Sequence, residues 1–156
     1  MAKEVSLAAM SRILDQDLSA IEDTAQLEGI AFDRFHEDDG DEFFLSGCRS
    51  ASGAIEMTRN REGRIRAIFL HAIESPEKRV NLAEIPFDTS RDDLRDRMGE
   101  PELASEGGEH AILGRFPPSD RFRIPEHRCR LGVQYSEELD AVTLITLFPE
   151  DWAPGD

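Results

Sequence analysis

Apolar residues recur at steps of three and four from Val5 to about Ala25, at Leu7, Met10, Leu14, Leu18 and Ile21, and this spacing predicts an amphipathic helix with one face in a core. The following stretch, FDRFHEDDGDEFF, sets Glu37, Asp38, Asp39, Asp41 and Glu42 around Gly40. Five like charges at that density predict a solvated loop. EFFLSG then reads as a short strand, and GAIEMTRN and RIRAIFLHA read as a hairpin turning at NREG, where Asn60 and Gly63 suit a tight turn. The second strand of that hairpin is apolar on nearly both faces around Ile68 to Leu70, as expected in the middle of a covered sheet.

The segment ESPEKRVNLAEIPFD, with two prolines and mixed charges, reads as a connection. A second helix follows. Thr89 or Ser90 caps it, Asp92 and Asp93 occupy the first turn where the helix dipole favours acids, Leu94 and Met98 mark its buried face, and Gly99 with Pro101 stops it. Residues 102–120 show little periodicity apart from a short AIL run and are assigned mostly to loop. RFRIP, CRLGVQYS and AVTLITLF read as strands, with SEELD turning between the last two.

The expected fold is therefore α+β, one domain over 1–156, with antiparallel sheet and helices on one face. RIRAIFLH and AVTLITLF each close a helix-plus-three-strand unit, at an offset of about 77 residues. Two pseudo-repeats, 1–75 and 82–150, account for this; so does the general need of any sheet for a covering helix.

Charge changes the picture of partners. Thirty-three acidic against eighteen basic residues give a net charge of −15, which repels nucleic acid and anionic membranes and attracts basic protein surfaces, although acidity also serves solubility alone. The start of the chain lacks the apolar run of a signal peptide and no stretch approaches a membrane span, so a cytoplasmic location is expected. Two cysteines, Cys48 and Cys129, are too few for a disulfide framework and are expected as reduced thiols.

Chemistry is hard to find. Neither GxGxxG nor GK[ST] follows a strand, the four histidines stand singly, and HEDDGDE lacks the alternating acids of an EF-hand, so neither nucleotide, metal nor other cofactor is expected. His127 and Cys129, two apart on a strand, would lie roughly 7 Å apart, too far for a nucleophile and its base. No catalytic residue is assigned. Tyr135 and Trp152, the single residues of their types, belong to classes enriched in binding hot spots, with ordinary core or edge packing as the alternative.

Three stretches, GAIEMTRNREGRIRAIFLHA, IPFDTSRDDLRDRMGEP and RFRIPEHRCRLGVQYSEELDAVTLITL, together resemble bacterial toxin-immunity proteins: an apolar strand ending in IFLH, an IP step into a helix ending in a GxP stop, and a late strand carrying a Tyr before a final apolar strand. The resemblance spans roughly residues 53–148. It implies a cytoplasmic antidote that blocks the active or cofactor site of a cognate toxin with a basic surface. The residues expected to meet that partner are Glu37, Asp38, Asp39, Asp41 and Glu42 in the acidic loop, then Asp92, Asp93 and Asp96 on the second helix, with Tyr135 and Trp152. An acidic adaptor without catalytic activity is the alternative. Exposed sheet edges would also permit a homo-oligomer.

Overall fold

The computed structural model describes residues 2–39 and 43–152. Its centre is one antiparallel sheet of eight strands, in the order β2(Phe32–Asp39), β3(Phe43–Ser50), β4(Ile55–Arg59), β5(Ile65–His71), β12(Val142–Pro149), β11(Cys129–Tyr135), β10(Ser119–Ile124) and β7(Leu103–Ser105). With α1(Leu7–Ile13) and α2(Arg91–Met98) the protein is an α+β fold. A short parallel pair, β1(Lys3–Val5) with β6(Val80–Leu82), and a separate hairpin, β8(Gly108–His110) with β9(Gly114–Phe116), complete it.

The order divides the chain into two like halves, each a short strand, a helix and a four-stranded meander, and the halves meet where β5 pairs with β12. Two registers carry one offset. Lys3, Glu4 and Val5 face Val80, Asn81 and Leu82, and Phe69 faces Thr146, each pair 77 positions apart. In an antiparallel pair the separation changes by two at every step, so a single rung at that offset marks a local two-fold centre, here Phe69 opposite Thr146. Each half therefore holds a strand before its helix and four strands of the central sheet after it, where three were expected, and the second half carries the β8–β9 hairpin in addition.

The pattern of the chain explains most elements. In the β4–β5 hairpin the side chain of Asn60 accepts the backbone N–H groups of Glu62 and Arg64, both at 3.1 Å, while Gly63 takes φ +81°. Ser90 caps α2 by accepting the N–H of Asp93 at 3.2 Å, and Gly99 ends it at φ +84°.

Three expectations are corrected. The first helix stops at Ile13 instead of reaching Ala25. Leu14 turns to an extended ψ of 139° and Asp15 to φ +66°. The Asp15 N–H then donates to Ile65 O at 2.9 Å and Ile65 N–H to Gln16 O at 2.8 Å, so backbone groups that a longer helix would use are spent on β5. Leu14 and Leu18 remain buried, the latter in a 3₁₀ turn, which is why the periodicity persisted beyond the helix. FDRFHEDD is strand β2, not loop: it pairs residue for residue with β3 from Phe32–Ser50 to Asp39–Phe43, at the sheet edge where one long side meets water and acids are tolerated. Finally, β6 lies inside the segment read as a connection, and β7, β8 and β9 lie inside the segment read as loop; all are three-residue strands too short to show a period.

The core lies on one face of the sheet. Met57, Ile68, Leu70, Leu131, Val133, Ile145 and Leu147 are buried there with Met10 and Ile13 of α1 and Leu94 of α2.

Candidate functional site

Alternation along β10, β11 and β12 sends every second side chain to the helix-covered core and the others to the opposite face, which among the described residues no helix covers. One cross-strand row on that open face runs Arg121, Gly132, Thr146, Phe69, Glu56 and Arg49, through the two-fold centre. Beside the centre the surface sinks into a depression of about 390 Å³, bordered by Phe69, Phe148, Trp152, Leu103 and Gly132.

The depression exists because small residues sit between large ones. Gly132 has no side chain to fill it, and a Cβ there would find its nearest neighbour, Thr146 Cβ, at 3.7 Å, an ordinary contact. Around it stand aromatic rings in partial contact with water: Phe69 and Phe148 are half-buried, Trp152 is 39% exposed and meets Phe148 edge to face at 5.6 Å between centroids. Leu103 on β7 is 57% exposed.

Several charges on this face are paired. Glu102 accepts from Arg121 at 2.9 Å and from Arg130 at 2.8 Å, Glu150 from Arg123 at 2.7 Å, and Arg49 pairs with Glu56 at 3.4 Å while stacking 4.5 Å above the Phe35 ring. Aromatic and arginine side chains around a small apolar depression are the composition of an interface centre.

A second apolar feature projects from the fold. At the tip of the β8–β9 hairpin Ile112 is 87% and Leu113 69% exposed, with Phe116 at 45%. The tip is held in shape by His110, whose Nδ1 accepts the N–H groups of Ile112 and Leu113 at 3.2 and 3.3 Å. The AIL run between two glycines was the one sign of it in the sequence.

The expected contact residues are dispersed. Glu37, Asp38 and Asp39 belong to strand β2, whereas Asp41 and Glu42 lie outside the described residues. Asp92, Asp93 and Asp96 are exposed on α2, which covers the core face near β10, far across the sheet from β2. Tyr135 is corrected: it is 1% exposed and offers no side-chain surface to a partner. Its hydroxyl donates to Asp120 Oδ2 at 2.9 Å, and Arg95 of α2 donates to both oxygens of the same carboxylate at 2.9 and 2.6 Å. This buried group ties α2 to β10 and β11. Burial, then the hydrogen bond to Asp120, raises the Tyr135 pKa, and the same carboxylate raises that of Arg95. Among the described residues, Trp152 is the one expected contact that reaches the depression.

His127 closes a 3₁₀ turn and Arg128 follows at φ +52°, so His127 and Cys129 do not share a strand face as supposed. Both thiols are free and buried, and burial pushes each up to about 11. At pH 8 roughly one part in a thousand of such a thiol is ionised, so neither Cys48 nor Cys129 will react with a thiol reagent until the chain unfolds; titration with Ellman's reagent with and without urea measures this. Among the described residues no group of three His, Cys, Asp or Glu side chains is placed to hold a metal ion, and no helix is long and apolar enough to cross a membrane.

No protein-family model matches the chain, and no curated protein or solved structure is significantly similar to it.

Proposed function

We propose that this protein is a cytoplasmic immunity protein, a stoichiometric inhibitor that seats a cognate toxin on the open face of its sheet. The observation that carries the reading is the aromatic-rimmed depression at the two-fold centre, flanked by Phe69, Phe148 and Trp152 on a face that, among the described residues, no helix covers. A half-wet apolar patch with paired arginines is suited to burial against another protein and has no evident use to an isolated chain. The motifs of the immunity resemblance fall on elements of this fold, although only Phe69 of IFLH borders the depression: IFLH ends β5 at the sheet centre, the Ile85–Pro86 step leads to α2, Gly99 stops that helix, and the Tyr of the late strand is the buried Tyr135.

The acidic balance acts at a distance in this arrangement. Since the charges around the depression are paired, the excess of acids lies away from it and steers a basic toxin toward it. Raising salt from 50 to 500 mM is expected to slow association about tenfold and leave dissociation nearly unchanged, as read by surface plasmon resonance.

The test of the function itself is capture of partners from the native bacterium by tagged protein at low and high salt, followed by neutralisation. The expected result is one basic toxin domain held in one-to-one ratio, lethal when expressed alone and harmless beside this chain. Recovery of a non-toxic partner would support an adaptor instead and overturn the immunity reading.

A further inference from the structure

The eight-stranded sheet has two edges of unequal kind. β7, at one end, is three residues long. β2, at the other, runs for eight residues, Phe32–Asp39, and among the described residues no strand pairs with its outer side. In an antiparallel ladder every second residue directs its N–H and C=O away from the neighbour, so β2 offers a row of backbone donors and acceptors outward. FDRFHEDD has no proline, no lysine and no bulge, and its pairing with β3 is unbroken; its charged residues, mostly acids, are the one guard it carries, and they act against strands of like charge.

Below this edge, on the core side of the sheet, the helical layer stops short. Between β2–β3 and the 3₁₀ turns Leu18–Ile21 and Ala25–Leu27 lies a cavity of about 680 Å³. Leu18, Ile21 and Phe32 give it apolar walls, and exposed Glu22, Asp23 and Glu28 stand among its lining residues against one arginine, Arg34. The same parity of β2 that carries Phe32 and Arg34 faces this cavity, so alternate side chains of a strand added outside β2 would point toward it.

We infer that the β2 edge takes an extended, basic segment of a partner protein by strand addition, with lysine or arginine side chains laid over the apolar walls and their charges meeting Glu22, Asp23 and Glu28. A second copy of this chain is a poor occupant, because β2 holds Asp33, Glu37, Asp38 and Asp39 and two such strands side by side would repel. The inference rests on the reading that the chain binds another protein, but names a surface distinct from the open face, and its test needs no toxin.

The probe is an acetylated, amidated peptide of alternating Arg and Val, eight residues long, with two controls: alternating Glu and Val, and the Arg-Val peptide N-methylated at alternate residues. Amide exchange by NMR and calorimetry in 50 mM salt are the readouts. The Arg-Val peptide is expected to bind, to slow exchange of β2 amides, and to lose at least tenfold in affinity on N-methylation and again in the Glu22→Lys, Asp23→Lys, Glu28→Lys variant, whose exposed substitutions leave thermal unfolding unchanged. Equal binding of the N-methylated peptide would reduce the effect to charge attraction and overturn strand addition. So would no binding at millimolar peptide, protection confined to other strands, or a β2-to-β2 dimer in sedimentation. Loss of toxin binding on altering the open face, with peptide binding intact, would separate the two surfaces.

Discussion

Asp120→Ala will remove about 3 kcal/mol or more of folding stability, the largest loss expected from any single side chain facing α2. Asp120 is 2% exposed and receives three hydrogen bonds, two from Arg95 and one from Tyr135. Deleting the carboxylate leaves the Tyr135 hydroxyl buried without a partner and the guanidinium without its counter-charge, although Arg95, with a quarter of its side chain exposed, recovers some hydration. Tyr135→Phe removes one donor and leaves the ion pair, so it should cost only about 1 kcal/mol. Urea unfolding of both variants checks the order. Equal losses would mean that the Tyr135 hydroxyl bond to Asp120, not the Arg95 ion pair, carries the stabilisation.

The same buried groups set the alkaline limit of the fold. Tyr135 has a folded pKa raised above its unfolded value, and so do Cys48 and Cys129 at about 11. Raised acids of this kind leave stability intact below the unfolded pKa and withdraw it as pH climbs from there, because the unfolded chain releases protons that the folded one keeps. Thermal unfolding should therefore move to lower temperature from about pH 8.5 upward.

The sequence was legible where one period repeats for long enough. β5, β11 and β12 follow their apolar runs, α2 follows its cap and stop, and the offset of about 77 residues between RIRAIFLH and AVTLITLF reappears as the rung joining Phe69 to Thr146. It was misleading where tertiary pairing overrides local pattern. Leu14 and Leu18 keep helical spacing while the chain between them turns at Asp15 to meet Ile65, and the acids of FDRFHEDD look like a solvated loop while the backbone pairs with β3. The open face was invisible for a different reason: Gly132, Ala67, Phe148 and Trp152 come from positions up to 85 residues apart, and the sheet order brings them together. Tyr135 and Trp152 were singled out on residue type alone, and type does not say which side of a strand a ring occupies; one went to the core and one to the rim of the depression.

Gly132→Val separates folding from binding more sharply than truncation of an aromatic. A strand-interior glycine weakens its strand by about 0.5–1 kcal/mol relative to alanine, and the Cβ position at Gly132 is unstrained, with contacts of 3.7 Å and beyond. The variant should therefore be as stable as the parent or more so. Its side chain, however, rises into the depression between Phe69 and Phe148, the place assigned to the partner's anchoring group. Overpacking at such a centre forces displaced side chains on both partners, and a loss of about 100-fold in affinity is expected, comparable to the roughly 30-fold expected when Phe148→Ala removes part of the rim. Calorimetric titration with the captured partner measures it, beside unfolding curves. A stable Gly132→Val protein that binds and protects as well as the parent would clear the open face of any role, and the exposed hairpin tip at Ile112 and Leu113 would then become the surface to alter next.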